Sequence, residues 1–99
     1  MRVEVRGTWQ DGSREDHKAV ERRLRLGLSR HCTTIHRVGA TLSRHLAGRP
    51  LRGYTLLLKA EFDAAPSIQV VETHSNRELA LQRAIVRMEK RVMRRCRGQ

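Results

Sequence analysis

Aromatic residues are nearly missing from this 99-residue chain, which has one Trp, one Tyr and one Phe. A sheet that reads single-stranded RNA by stacking needs exposed rings on its strands, so that class of reader is disfavoured. Acidic residues are scarce too, 10 against 21 basic ones. The two cysteines, Cys32 and Cys96, stand far apart with no C-x-x-C spacing. That pattern fits reduced thiols in the cytoplasm better than a disulfide framework or a zinc knuckle. The longest purely apolar runs, such as Leu56–Leu58, fall far short of the ~20 residues needed to span a bilayer. Met1–Val5 alternates in polarity and has no signal-peptide h-region. Five histidines, His17, His31, His36, His45 and His74, offer no i, i+4 pair with a third ligand, so neither metal nor cofactor is expected. No glycine-rich phosphate loop follows a strand, and no local motif assembles a nucleophile with a base. An enzyme is not expected.

What is present is positive charge. The formal net charge is +11 and the sequence pI is about 11.5. Such an excess repels itself in a compact state, so its use lies outside the fold, in a polyanionic partner. Eighteen of the 21 basic residues are Arg, whose planar guanidinium forks onto phosphate and stacks on bases. A hydrophobic fraction of 38% allows one modest core.

Hydrophobic periodicity divides the chain into six elements. Arg2–Gly7 alternates Val3 and Val5 with charged residues, as a half-buried strand does. Trp9 follows in a loop, expected to cap the sheet rather than to stack on a base. Ser13, with Glu15 and Asp16 in the first turn, opens a helix to about Arg30. Val20, Leu24 and Leu28 form its buried stripe, with Gly27 beside them at close approach and His17 and His31 near the buried side. Thr33–Ser43 reads as a strand, and Arg44–Gly53, with Arg44, His45, Arg49 and Arg52, as a long basic hairpin loop. Tyr54–Asp63 alternates most clearly, Tyr54, Leu56, Leu58, Ala60 and Phe62 falling on one face. Ala64–Pro66 turns the chain into a strand over Ser67–Thr73, and Ser75 with Glu78 resembles a capping box for the last helix.

That helix, Asn76–Arg97, carries the strongest signal. Eight of its residues are basic, yet Leu81, Ile85, Met88 and Val92 recur on one stripe. At 100° per residue Arg83, Arg87, Lys90 and Arg94 fall on the opposite side, along a rod of ~33 Å. Leu79, Val86 and Met93 form a narrower apolar row, expected against the first helix. On the first helix Lys18, Arg22 and Arg25 likewise oppose the apolar stripe. The β-α-β-β-β-α order implies an α+β fold. A right-handed crossover makes the first two strands parallel, and both helices share one face of a four-stranded mixed sheet. Their basic stripes would then form one surface.

In this order and spacing the chain resembles the ribosome hibernation-promoting factor family, including its ribosome-associated inhibitors. The matching stretches are Val3-Glu4-Val5-Arg6-Gly7, the helix Ala19–Leu28, Ile35–Ser43 (similar to a strand of form I-x-x-V-x-V-x-L-S), and Ile68–Val71 followed by Ser75–Arg95. The resemblance implies a non-catalytic factor that binds the small ribosomal subunit in the mRNA and tRNA channel. It would contact ribosomal RNA through Lys18, Arg22, Arg25, Arg83, Arg87, Lys90, Arg91 and Arg94, and silence translation under stress. It implies a single domain over 1–97 with 98–99 as a short tail, monomeric off the ribosome and acting alone or with a second hibernation factor. Ending at Gln99, the chain corresponds to the short form, for which self-driven ribosome dimerisation is not expected. The basic loop around Arg49 departs from the acidic or mixed loop of many relatives. Two other readings compete: a generic double-stranded RNA binder, and a protein-binding regulator of the same fold.

Overall fold

A computed structural model of the chain describes residues 1–9, 14–31, 33–45 and 53–97, apart from the side chains at 45, 96 and 97. The elements run β1 (Arg2–Gly7), α1 (Arg14–Leu28), a 3-10 turn (Ser29–His31), β2 (Arg37–His45), β3 (Gly53–Glu61), β4 (Ile68–His74) and α2 (Arg77–Arg97). The expected cap at Ser13, Cys32, most of the basic hairpin loop and the tail 98–99 lie outside the described residues.

The four strands form one sheet in sequence order, β1 parallel to β2 and the two hairpin pairs antiparallel. Each row of the ladder carries the hydrophobic pattern across the sheet. Val3 pairs with Val38, Val38 with Ala60, and Ala60 with Ile68, while Val5, Ala40, Leu58 and Val70 make the next row. Because side chains alternate along a strand, these rows all face one side. Val20, Leu24 and Leu28 of α1, and Leu81, Ala84, Ile85, Met88 and Val92 of α2, complete a single core with them. The expected two-helix face is therefore present.

Several boundaries differ from the sequence reading: β2 runs on through Arg44 and His45, β3 starts at Gly53, all three expected in the hairpin loop, and β3 ends at Glu61 rather than Asp63. β2 begins at Arg37 rather than Thr33, because the preceding residues are spent ending the first helix. The His31 carbonyl accepts from Thr34 N–H at 3.0 Å, Ile35 N–H at 2.9 Å and the Thr34 hydroxyl at 2.9 Å. Ile35 is buried at that turn. At the other end of the first crossover, Gly7 takes φ of 78°, and a Cβ there would overlap the Leu42 carbonyl. Only glycine fits both demands.

Since β1, β2 and β4 run the same way and each helix returns antiparallel to a strand, α1 and α2 are parallel to each other. Their contacts advance together along both chains: Asp16 with Arg77 at 3.3 Å, Arg23 with Glu78 at 3.1 Å, then Gly27 with Ile85. A Cβ on Gly27 would lie 2.5 Å from Ile85 Cγ2, so glycine sets how near the helices come.

Candidate nucleic-acid interface

Helix α2 starts one residue later than the expected capping box. Asn76, not Ser75, is the N-cap: its Oδ1 accepts from Glu78 N–H at 2.9 Å and Leu79 N–H at 3.3 Å. The first i→i−4 bond also starts there, Ala80 N–H to the Asn76 carbonyl at 3.0 Å. Glu78 is thereby freed to reach Arg23 on α1 instead of closing a box.

The rotation of α2 about its axis also corrects the sequence reading. The row Leu79, Val86 and Met93 does not face α1; Leu79 and Val86 are exposed at 37% and 43%. Ile85 and Glu78 make the contacts with α1 instead. The reason lies in Ala80 and Ala84, both fully buried. They add small residues to one side of the buried stripe and shift its centre by roughly 30° at 100° per residue. Whatever was opposite shifts equally. Arg83 and Lys90 remain outward, while Leu79 and Val86 join them beside a groove of ~360 Å³ with Glu72, Gln82 and Arg87.

Arg87 and Arg91 move to the flank and find the edge of the sheet. Arg87 donates to the Val71 carbonyl at 3.0 Å and to Glu72 Oε1 at 2.8 Å. Arg91 donates to the Gln69 carbonyl at 2.5 Å, and Arg95 to that of Pro66. Four residues of helix rise ~6 Å and two residues of strand ~6.8 Å, so a four-residue arginine repeat can meet alternate strand carbonyls. β4 is an edge strand. Arg87 and Arg91 make a comb along it, and Arg95 continues the row onto the Pro66 carbonyl in the turn before β4 and lies 4.8 Å from the Phe62 ring centroid.

The eight arginines and lysines named from the sequence thus fall into two sets. Arg25, Arg87 and Arg91 have internal partners, Arg25 through Glu21 at 3.1 Å and the Met1 carbonyl at 3.3 Å. Lys18, Arg22, Arg83, Lys90 and Arg94 are exposed and have no ion pair or hydrogen bond among the described residues. Helix geometry sets all five on the sides of α1 and α2 turned away from the sheet. Two parallel helices in close contact bring their axes to ~8–10 Å. These five cations therefore form neighbouring rows on one surface. Arg95 was missed in the sequence; the i, i+4, i+8 spacing from Arg87 was its one visible signal.

The opposite face of the sheet is charged and partly paired, with Arg2, Arg6, Arg37 and Lys59 sharing the carboxylates of Glu4 and Glu61. Arg37 is gripped by Glu4 and by Glu61 at 3.3 Å, and Lys59 reaches Glu61 at 3.7 Å. The hydrogen bond from Arg37 holds the Glu4 carboxyl below its usual pKa, with the nearby charges of Arg37, Arg2 and Arg6 adding to the effect. Glu4 in turn raises the Arg37 pKa. Trp9, 4% exposed, donates Nε1–H to the Thr55 carbonyl at 2.9 Å and meets Tyr54 edge-on at 6.0 Å. It caps the sheet, and its ring is not free to stack on a base. His17 Nε2 lies 2.5 Å from the Gly7 carbonyl, which ties α1 to the end of β1. Among the described residues no group of three His, Cys, Asp or Glu could hold a metal ion, and no helix is long and apolar enough to cross a membrane.

This arrangement of strands and helices has relatives among solved structures. The N-terminal domain of Protein Y from Thermus thermophilus superposes with a TM-score of 0.68 at 20% identity, covering 95% of this chain and 98% of that domain. The fold is shared with Protein Y. A ribosomal subunit interface protein from Coxiella burnetii superposes with a TM-score of 0.71 at 12% identity, over 95% and 96% of the two chains. At these identities the likeness establishes the fold, and it agrees with the resemblance to the hibernation-promoting family. No protein-family profile matches the chain, and no curated protein matches it in sequence.

Proposed function

We propose that this chain is a non-catalytic ribosome-binding factor that occupies the mRNA and tRNA channel of the small subunit and inhibits translation there. The observation that carries the reading is a set of five cations without a partner among the described residues, Lys18, Arg22, Arg83, Lys90 and Arg94, on the outward sides of two parallel helices. A guanidinium or ammonium with no internal partner keeps its whole charge for a phosphate. The fold relatives, one of them described as a ribosomal subunit interface protein, support ribosomal RNA as the polyanion. Phosphate contacts position a protein without reading sequence, so selectivity comes from the shape of the folded RNA. The mechanism is occlusion: a domain seated by its basic face excludes the nucleic acids that otherwise fill the channel. Binding as a monomer, alone or beside a second hibernation factor, fits a cytoplasmic stress response.

The test is co-sedimentation with purified small subunits across a salt series, with free duplex RNA as competitor. One protein per subunit, retained against excess duplex, is the expected result. Five phosphate contacts give a log–log salt slope of about −4.5 by the DNA relation, or shallower on RNA. Binding that never saturates, or that duplex RNA removes, would instead favour the generic double-stranded RNA binder.

A further inference from the structure

The two free edges of the sheet are finished differently. On β4, Arg87 and Arg91 fill the outward carbonyls of Val71 and Gln69. On β1, Arg2 N–H donates to the His36 carbonyl at 3.1 Å, so Arg2, Glu4 and Arg6 turn their backbone polar groups toward β2. Val3 and Val5 must then turn theirs to the outside. The ends of this edge are tied to α1, Arg25 donating to the Met1 carbonyl and His17 to that of Gly7. Between those ties, the N–H and C=O of Val3 and of Val5 have no partner among the described residues.

The geometry points to this window on β1 as a strand-addition site for an extended, acidic protein segment. Adding a strand satisfies the outward donors and acceptors in one ladder, and alternate side chains of the guest set the choice of partner. Here the choice is electrostatic. Arg2 and Arg6, each with a side chain 77% exposed, flank the window on the open face of the sheet. Glu4 between them lies 3.7 Å from Arg2 and 3.9 Å from Arg6 but is shared with Arg37, so one carboxylate faces three guanidiniums and positive charge is left for an incoming chain. On the helix side Arg25 is already paired with Glu21 at 3.1 Å. The electrostatic choice is therefore made on the open face, where carboxylates of a guest strand meet Arg2 and Arg6. A second copy of this chain, itself at +11, meets repulsion at the same place. The site is separate from the outward helix face, so it stands or falls independently of ribosome binding.

The test uses the whole protein and a short end-blocked peptide alternating Glu and Val, labelled for fluorescence anisotropy. A second peptide of the same sequence has alternate amides N-methylated, which keeps its charge and removes its ladder donors. The plain peptide is expected to bind and to slow amide exchange at Val3 and Val5. The N-methylated peptide is expected to bind about tenfold more weakly or worse, as loss of one or more hydrogen bonds predicts. Val5→Pro removes an outward N–H that β2 does not use, a replacement edge strands accept, and should weaken the plain peptide similarly. If that variant fails to fold, the two peptides on the unaltered protein decide. Equal binding of both peptides, unchanged exchange at Val3 and Val5, or no binding of the plain peptide would each overturn the proposal.

Discussion

Arg87 and Lys90 stand less than one turn apart on α2, yet they have opposite fates. Arg87 is spent on the edge of β4, held by the Val71 carbonyl and Glu72, whereas Lys90 is exposed with no partner among the described residues. The same division separates Arg91 and Arg95 from Arg83 and Arg94. Distance to a backbone acceptor explains it. A guanidinium on the β4 flank can reach a carbonyl that would otherwise face water alone, while a cation on the outward side has only solvent. Density of positive charge in a sequence therefore overstates what a helix can offer a ligand. Carbonyls are neutral, so Arg91 keeps its charge, but its direction is fixed toward the sheet.

The widest separation of the two rows should come from replacing each in turn. Changing Lys18, Arg22, Arg83, Lys90 and Arg94 together to Gln is expected to weaken small-subunit binding by at least ~10³-fold at 0.1–0.2 M salt. Circular dichroism should show the fold and its melting temperature nearly unchanged, as these side chains have no ion pair or hydrogen bond among the described residues. Changing Arg87, Arg91 and Arg95 to Gln should do the reverse. Stability should fall by about 1–3 kcal/mol in urea unfolding, with binding reduced by less than about tenfold. Light scattering should also show association through the uncovered β4 edge. If the second variant loses binding as completely as the first, the distinction between the rows is wrong.

Gly27→Ala asks whether the rows depend on helix spacing. The added methyl must displace Ile85, at a cost of about 1–3 kcal/mol in thermal or chemical unfolding. It should also move α2 relative to α1, so binding should weaken although no cation is altered. Asn76→Ala, which removes the α2 cap, is expected to cost about 1 kcal/mol. The smallest effect concerns a third kind of arginine, one held by carboxylates. Glu4 has a folded pKa below its unfolded value, so its pairing with Arg37 stabilises the fold above the unfolded pKa. That stabilisation disappears as pH falls through the folded pKa. Glu4→Gln should therefore flatten the acid limb of the stability profile, whereas loss of the Arg91 contact with a carbonyl should leave its shape unchanged.

Much of the fold was legible because alternation is a local property. Val3, Val38, Ala40, Leu56, Leu58 and Val70 each announced a buried strand face, and the parallel first pair followed from the helix between them. The rotation of α2 was not legible, since Ala80 and Ala84 carry little weight in a hydrophobic pattern yet decide which side can lie flat on the sheet. The comb was hidden for another reason: its acceptors are main-chain carbonyls, which have no letter in a sequence. Asn76 and Ser75 are both good caps, and the choice between them turns on backbone geometry. The outward placement of Arg83 and Lys90 survived because both sit far enough from either estimate of the buried centre.

Parallel helices have an electrical consequence that an antiparallel pair would cancel. The peptide dipoles of α1 and α2 point the same way, giving partial positive charge at the end near Asp16 and Glu78 and partial negative charge near Arg94 and Arg95. The acids in both first turns and the arginines in the last turn of α2 each oppose the local sign. A phosphate chain laid along the pair would thus meet a gradient, favoured by the backbone at one end and by side chains at the other. The pair of helices therefore has an electrostatic head and tail.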